Sequence, residues 1–417
     1  MQQQDTQLPI KLDSTSNGEF EPVALEPVHE HANRTALEAA TQAAKRLNMT
    51  RRQFLISASG AASTLLAMNA AYAAAGKRGG YFELPAESGL DGSAAEDALG
   101  KKEFIFDVQG HYVDPNGAWL QGVPQGARPF SNTLPAGCAI GEAATKAGDE
   151  YGYLQCLGRD AFIKDVFLDS DTDIMVLSFV PSKREAEPLT IDEAARTREI
   201  VAEMEGNHRL LLHGRVNPNQ EGDLEGMDEL AERWNISAFK TYTQWGPDGT
   251  GFHLDDPVGI AFLDKARKLG VKNICIHKGL AFGPNSLEHA LCDDVGRVAK
   301  RYPDLNFLIY HSGFMIGQPE RAYDPSRNAG VDSLIKSVLE NQLGPNGDGR
   351  NSNVYAELGS TWRFLMRDPD SAAHVLGKLV KYLGENNVLW GTDSIWYGSP
   401  QDQIQAFRSF QISEQLQ

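Results

Sequence analysis

The chain has 417 residues, of which 41% are apolar, and its net charge is −17. That length allows one large domain with extensions, and the apolar fraction is enough for a sizeable core. The negative charge argues against a nucleic-acid partner, which would require a basic face. No run of about 18 uninterrupted apolar residues marks a membrane span.

The first 73 residues differ in kind from the rest. We interpret residues 1–49 as a polar extension, in which only residues 36–47 have the pattern of a short helix and His29 and His31 form an isolated His-x-His pair. Residues 50–55, Thr-Arg-Arg-Gln-Phe-Leu, precede a mildly apolar stretch that ends in a small-x-small cleavage pattern at residues 71–73. Residues 50–73 therefore resemble a twin-arginine export signal, and the alternative is an amphipathic helix with basic flanks.

The signal predicts the compartment of the mature protein. Cleavage after Ala73 would follow passage through the twin-arginine export machinery, so we expect a periplasmic or exported protein that keeps no membrane anchor. Residues 74–103 would link the signal to the main domain. In an oxidising compartment Cys138 and Cys156 could form a disulfide, whereas Cys275 and Cys292 are expected to be core residues.

From residue 104 onward, apolar strands alternate with helical segments. We predict eight strands, at residues 104–111, 173–180, 210–216, 237–242, 272–277, 305–311, 354–358 and 388–390. Near-continuous apolar runs separated by helices are typical of a parallel sheet that is covered on both faces.

The predicted helices carry start and stop signals. Residues 190–193 form a capping box before a helix, Asp256-Pro257 begins another that Gly270 ends, and Ser286 can cap a helix that runs to Pro303. Eight strands with intervening helices favour an α/β fold of the (β/α)8 barrel type over residues 104–417. An open doubly wound sheet is the alternative, although no G-x-G-x-x-G motif follows the first strand.

The longest connection, residues 112–172, lies between the first two strands. It is rich in glycine and proline and contains Trp119. Connections of this length are usually functional. We interpret it as a lid or pocket wall at the catalytic face, and the alternative is a passive surface insertion.

Polar side chains stand at the carboxyl ends of the predicted strands, where a barrel keeps its chemistry. They are Gln109, His111, Lys240, His277, His311, Glu357 and Asp393. Two imidazoles and a carboxylate suit a divalent metal that keeps a position open for water, and His111, His277 and Asp393 would supply them. His311 would lie beside the metal as a general acid or base. One histidine at a strand end is more often a core residue, but three with an aspartate favour a metal site.

Four segments resemble motifs of the amidohydrolase superfamily: residues 106–111, 276–279, 310–313 and 391–393. The similarity is greatest to the amidohydrolase-related branch (amidohydrolase family 2), with its aminocarboxymuconate-semialdehyde decarboxylase-like enzymes. It implies a TIM barrel, one metal that is usually zinc, and either hydrolysis or non-oxidative decarboxylation. By this resemblance His111 and His277 match metal ligands of the first and fifth strands, His311 matches the catalytic histidine of the sixth, and Asp393 matches the aspartate of the eighth.

Gln109 departs from the family pattern, which has histidine at that position. An amide oxygen is a weaker ligand than imidazole and favours harder metals. We therefore expect one divalent ion held by His111, His277, Asp393 and Gln109. Zinc is favoured, with manganese and iron as alternatives.

Three further residues are predicted to contact the substrate: Lys240, Glu357 and Trp396. Lys240 would bind a substrate carboxylate or pair with Glu357 or Asp393, and the alternative is a carboxylated lysine that bridges two metals. Glu357 has three other interpretations, as a metal ligand, as a residue that orients a metal ligand and as a member of a structural ion pair. Trp396 belongs to an expected aromatic rim that also includes Tyr242, Trp245 and Trp362, and the alternative for these residues is ordinary packing between loops.

We predict a metal-dependent hydrolase that acts on a small organic ester, amide or lactone through a metal-activated water, with His311 and Asp393 as catalytic residues. One alternative is a non-oxidative decarboxylase of an aromatic or muconate-type acid, in which Asp393 or His311 would move the proton. Another is a non-catalytic barrel that lost its activity at Gln109. The expected partner is a small-molecule substrate, and the sequence leaves a homo-oligomer open.

Overall fold

The computed structural model describes residues 7–134, 138, 151–283 and 286–417. Its centre is a parallel sheet of eight strands, all of which the sequence predicted. Short strands β1 and β10 lie outside this sheet. In chain order the strands are β1 (Gly80–Phe82), β2 (Phe106–Gly110), β3 (Ile174–Leu177), β4 (Leu210–Arg215), β5 (Ala238–Tyr242), β6 (Asn273–His277), β7 (Asn306–Tyr310), β8 (Val354–Glu357), β9 (Val388–Leu389) and β10 (Phe410–Ile412).

The sheet closes on itself. Each strand from β2 to β9 pairs with the next, and the chain after β9 returns to β2. Val108 donates its backbone N–H to the carbonyl of Trp390, and Asp393 donates to the carbonyl of Gln109, both at 3.0 Å. The fold is therefore a nearly closed (β/α)8 barrel, as predicted, and not an open doubly wound sheet.

The strand β6 shows how the sequence aims side chains into the barrel. Ile274 and Ile276 are buried in the layer between sheet and helices, whereas Cys275 packs with Tyr310 inside the barrel. Because successive residues of a strand face opposite sides, His277 shares the inward face of Cys275. His277 thus ends the strand with its side chain toward the barrel axis.

The helices surround the barrel and extend the chain at its amino terminus. They are α1 (Pro27–Arg46), α2 (Arg51–Leu55), α3 (Ala58–Ala74), α4 (Gly92–Leu99), α5 (Arg159–Ile163), α6 (Ile191–Glu205), α7 (Asp223–Arg233), α8 (Pro257–Lys268), α9 (Leu287–Ala290), α10 (Val295–Arg301), α11 (Val331–Glu340), α12 (Thr361–Leu365), α13 (Pro369–Tyr382) and α14 (Gln401–Ser409).

Of two helices predicted from the sequence, the structure confirms the start of one and contradicts the extent of the other. The hydroxyl of Thr190 accepts the N–H of Glu193 at 3.3 Å, which begins α6 as predicted. The single helix predicted between Ser286 and Pro303 is wrong, because the structure has α9 and α10 there. Between them the buried carboxylate of Asp294 turns inward, where it accepts the N–H of Leu254 at 2.8 Å and the ammonium of Lys278 at 3.0 Å.

The amino-terminal extension has a core, contrary to expectation. Helix α1 buries Ala32, Ala36 and Ala40, and it packs against α3, most of whose residues are buried. Alanines spaced four apart let two helices approach closely but bury little apolar area, which is why the pattern looked polar. The expected signal, residues 50–73, corresponds to α2 and most of α3, and its export role and cleavage after Ala73 stay predictions.

The expected linker, residues 74–103, also has structure. Its strand β1 pairs antiparallel with β10, with Tyr81 opposite Gln411, and α4 packs against α3. This part of the chain is therefore joined to the last residues of the barrel domain. Within the described ranges, no helix combines the length and apolarity needed to cross a membrane.

The long connection after β2 lies against the carboxyl end of the barrel. Its residues Trp119, Tyr153 and Leu157 pack with Trp396 and Tyr397, which follow β9. Cys138 and Cys156 form a disulfide within it, with Cα atoms 5.9 Å apart. The sequence predicted that pairing as one of two outcomes. Residues 135–137 and 139–150 of this connection lie outside the described residues.

Candidate functional site

The polar residues that the sequence placed at strand ends converge at the carboxyl end of the barrel, and all are buried. None has more than 2% of its surface exposed: Gln109, His111, Lys240, His277, His311, Glu357 and Asp393. Buried polar groups normally have hydrogen-bond partners. The atoms here that lack one therefore indicate where a ligand would fit.

Gln109, His111 and Asp393 contact each other. The amide nitrogen of Gln109 lies 3.0 Å from Asp393 Oδ1 and 3.3 Å from His111 Nε2, so Gln109 points into the barrel mouth beside His111. His111 Nε2 is 3.2 Å from Asp393 Oδ1. Although burial would raise it, the pKa of Asp393 is held below its usual range by the hydrogen bond and charge interaction with His111.

His277 and His311 lie side by side, with ring centres 4.5 Å apart. His311 Nδ1–H donates to the carbonyl of Gly359 at 2.6 Å, so its Nε2 carries the free lone pair. Three ring nitrogens lack a hydrogen-bond partner among the described residues: both nitrogens of His277 and the Nε2 of His311. Burial lowers the pKa of His311 to about 4 and that of His277 well below its ordinary value, so both rings are neutral near pH 7.

Glu357 holds the strand ends in place. One of its oxygens accepts the N–H of His311 at 3.0 Å and the other accepts the N–H of Gly359 at 2.5 Å. Burial raises its pKa to about 8. Both carboxylate oxygens are thus committed to backbone groups, an arrangement typical of a positioning residue, and the predicted substrate contact of Glu357 stays a prediction.

Lys240 carries a buried amino group without a hydrogen-bond partner in the described part of the chain. The expected pairing with Glu357 or Asp393 is not formed among those residues. Instead its Nζ lies 3.6 Å from the ring centre of Tyr310. Burial lowers the pKa of Lys240 to about 8, so this group is available for an anionic ligand.

Trp396 supports a predicted ligand. Its ring stacks on His111, with ring centres 5.4 Å apart. It also stacks on Phe130 of the long connection, with ring centres 5.6 Å apart. Trp396 is only 1% exposed, so a direct substrate contact stays a prediction. Trp362, expected at the rim, instead packs in the core between barrel and helices, because its indole N–H donates to the carbonyl of Gln403 at 2.9 Å.

Two residues of the amino-terminal extension enter the site, and the sequence gave no sign of them. Asn17 donates its amide to Asp393 Oδ2 at 2.9 Å. Glu19 Oε1 lies 3.3 Å from His277 Nδ1, and its Oε2 lies 3.9 Å from His311 Nε2. The donor atoms of Glu19, His277 and His311 all lie within 4.8 Å of one another.

Contacts on both sides hold this segment across the barrel mouth. The N–H of Ser16 donates to the carbonyl of Asn132 at 3.0 Å. Earlier in the segment, Asp13 forms an ion pair with Arg363 at 2.8 Å, and Lys11 donates to the carbonyl of Tyr397 at 2.5 Å. Residues 7–26 are therefore part of the candidate site as this structure has it.

The donor set fits a divalent metal ion. Neutral imidazoles and carboxylates are the ligands of zinc sites in proteins, and Glu19, His277 and His311 bring such donor atoms within 4.8 Å of one another. Among the described residues, the predicted set of His111, His277 and Asp393 does not form a group of that spacing. Unpartnered nitrogens of buried histidines are costly, and a metal ion would satisfy them. Gln109 contributes an oxygen that also lacks a partner among the described residues, which leaves its predicted ligand role open.

Comparison with known proteins gives one family match. Residues 158–333 match the model of the family described as Amidohydrolase. The search of curated proteins gives no match.

Solved structures with a similar chain path include three from bacteria. The 5-carboxyvanillate decarboxylase LigW from Sphingomonas paucimobilis is 14% identical, with 76% of this chain and 95% of that chain covered and a TM-score of 0.43. An amidohydrolase from Mycobacterium avium subsp. paratuberculosis K-10 is 13% identical, with the same coverage and a TM-score of 0.43. An amidohydrolase from Burkholderia multivorans with bound zinc is 14% identical, with 72% and 89% covered and a TM-score of 0.36. Similarities at this level carry no argument about activity.

The family match begins just before α5 and runs through β3–β7 into α11. It includes His277 and His311, while Gln109, His111, Glu357 and Asp393 lie outside the matched residues. Within its nearly closed parallel barrel, this chain therefore contains a segment, residues 158–333, that matches the amidohydrolase family model.

Proposed function

We propose that the whole barrel is a metal-dependent enzyme of the amidohydrolase family, and that it hydrolyses a small organic ester, amide or lactone. The observation that supports this best is the pair His277 and His311. Both are buried and neutral, and their unpartnered nitrogens lie where parallel strands end. Barrel enzymes place their catalytic groups at this end.

His111, His277 and Asp393 would hold the ion, and zinc is favoured by the two imidazoles. A divalent ion held there supplies Lewis acidity and lowers the pKa of a water that it binds. Asp393 is suited to this role because His111 keeps it ionised. Trp396 restrains the ring of His111 by stacking.

His311 is the proposed carrier of the proton. Since the carbonyl of Gly359 fixes the proton on its Nδ1, the Nε2 can accept a proton from one group and return it to another. Glu357 fixes the backbone of His311, which holds the imidazole in one orientation. Lys240 would bind an anionic part of the substrate, because its buried amino group has no hydrogen-bond partner in the described ranges.

Lys240 also supports a second candidate function, non-oxidative decarboxylation of an aromatic or muconate-type acid. Its amino group lies between the rings of Tyr310 and Tyr242, 3.6 and 4.9 Å from their centres. A buried amino group beside aromatic faces suits an aromatic carboxylate. In that reaction the same His311 would deliver a proton to the carbon that loses carbon dioxide.

One experiment separates these functions. The purified full chain is analysed for metal and then incubated with ester, amide and lactone panels in ¹⁸O-labelled water, and with aromatic and muconate-type acids. Hydrolysis places one ¹⁸O atom in the product acid, whereas decarboxylation releases carbon dioxide. We expect about one zinc ion per chain and ¹⁸O incorporation. Carbon dioxide release would favour the decarboxylase, and bound metal with neither product would favour a non-catalytic barrel.

A further inference from the structure

The segment that brings Glu19 into the site is a local turn and not an extended tail. The N–H of Gly18 donates to Ser16 Oγ at 2.9 Å, and the N–H of Glu19 donates to Asn17 Oδ1 at 3.0 Å. Gly18 has a φ of 90°, a backbone conformation that residues other than glycine rarely adopt. The turn therefore presents Asn17 and Glu19 to the barrel in a fixed relation.

The approach of Glu19 to His277 is not a hydrogen bond. Their atoms Oε1 and Nδ1 are 3.3 Å apart, yet both nitrogens of His277 lack a hydrogen-bond partner in the described part of the chain. Two ligands that each lie about 2.1 Å from a tetrahedral ion are roughly 3.4 Å apart. The observed separation matches the spacing of two ligands on one ion.

The charges around Glu19 also call for a cation. Asn17 donates its one amide group to Glu19 and to Asp393, at 2.5 and 2.9 Å. Asp393 also accepts a hydrogen bond from Gln109 and lies beside His111, so Glu19 is the less compensated of the two carboxylates. Among the described residues Glu19 has no ion pair with lysine or arginine, and the titratable groups within 4.0 Å of it are the neutral rings of His277 and His311. A carboxylate without a cationic partner at a buried site is costly, and a divalent ion would neutralise Glu19.

We propose that Glu19 is a metal ligand, supplied by the amino-terminal segment to the ion that His277 binds. This inference rests on the proposed metal dependence of the site. It assigns the turn at residues 16–20 to the metal centre, although that turn lies far from the barrel in sequence. Binding of the ion then also fixes the segment across the mouth.

The test measures zinc affinity by competition with a chelator, using full-length protein. Glu19→Gln keeps the shape of the side chain but removes its charge, and we expect it to weaken zinc binding by about tenfold or more. The control is Glu21→Gln, because Glu21 is two residues away and exposed. It should bind zinc as the unaltered protein does.

Hydrogen exchange provides a second readout that does not depend on activity. In the unaltered protein and in Glu21→Gln, zinc should slow exchange of the amides of residues 13–21. In Glu19→Gln that slowing should be lost. If Glu19→Gln does not fold, Glu19→Asp replaces it, because withdrawal of the carboxylate by one methylene should lower both zinc affinity and protection.

Two negative results are distinguishable. Zinc affinity and protection that stay unchanged without the Glu19 carboxylate would overturn this inference alone. An unaltered protein that binds neither zinc, manganese nor iron would overturn the proposed function, and the ligand role of Glu19 with it.

Discussion

Glu357 and Gly391 show how single residues shape the mouth of the barrel. The carboxylate of Glu357 accepts two backbone N–H groups, from His311 and Gly359. A Cβ atom at Gly391 would lie 1.7 Å from Glu357 Oε1. Because that oxygen is already committed to Gly359, it cannot move away without breaking a hydrogen bond of a strand end. Only glycine therefore fits beside Glu357.

Gly391→Ala should lower the free energy of unfolding by about 1–3 kcal/mol, the usual cost of overpacking, and reduce zinc affinity through displacement of Glu357. Urea unfolding and zinc titration measure these effects. The control is Gly92→Ala, where a Cβ atom meets nothing within 4 Å and alanine favours helix α4. Equal stability of the two variants would contradict the proposed role of Gly391.

His311→Ala tests the assignment of proton transfer. Turnover should fall roughly 100- to 10,000-fold, the range that general acid–base catalysis supplies, while metal content stays near that of the unaltered protein. Steady-state kinetics and metal analysis provide the two measurements. His208→Ala is the control, because His208 is exposed. Loss of the metal would make His311 a ligand instead, and full activity would exclude it from the mechanism.

At the scale of elements, the strands could be predicted because most of them are short, nearly continuous apolar runs separated by helical segments. The proximity of the polar residues on these strands could then also be predicted, because a barrel brings the carboxyl ends of its strands together. Helix α1 could not be predicted as part of a core, since its buried face consists largely of alanine. Glu19 could not be predicted at all. It reaches His277 through a turn in a polar segment, and no local periodicity marks such a contact.

His29 tests how α1 is attached to the barrel. It is buried, its Nδ1 accepts the N–H of Glu26 at 3.1 Å, and its Nε2–H donates to the carbonyl of Arg367 at 2.9 Å. The contact at Nδ1 requires the neutral ring, because a protonated Nδ1 cannot accept a hydrogen bond, and burial lowers the pKa of His29. The unfolded chain therefore binds a proton first, and stability is lost as the pH falls below about 6.5.

His29→Gln should remove that part of the pH dependence, which amounts to at most about 1.4 kcal/mol at pH 5.5. The measurement is the urea midpoint at pH 7.5 and at pH 5.5. His31→Gln serves as the control, because His31 lies on the exposed face of the same helix. An unchanged difference between the two pH values in His29→Gln would show that His29 does not contribute to it.

At the scale of the whole molecule, the composition of the site depends on whether the predicted signal is cleaved from the chain. The predicted signal lies in helices that pack against the rest of the structure, and cleavage after Ala73 would remove Asn17 and Glu19 together with α1. The uncleaved and cleaved chains would thus differ at the metal site as well as in length. We propose that the protein is exported, on the strength of the twin-arginine pattern alone.

Replacement of both Arg51 and Arg52 by lysine should block export, because the export machinery recognises the arginine pair. The control exchanges Lys45 for arginine and Arg46 for lysine, which preserves the charge and leaves the pair intact. Cell fractionation detects export, and intact mass gives the first residue of the exported protein. An exported protein that begins at Met1 would contradict the predicted cleavage.

The turn that carries Asn17 and Glu19 has a kinetic consequence. Because the turn is covalently attached, its effective concentration at the barrel mouth is set by the connecting chain. For a short flexible connection this value is at a millimolar level. Dilution of the protein cannot lower that value. A substrate that binds at the position of the Glu19 carboxylate would therefore have to displace an attached group, and its apparent affinity would fall as the effective concentration of that group rises. Cleavage of the chain between this turn and the barrel would make the competition bimolecular. The outcome would then depend on the free concentrations of the substrate and of the released segment.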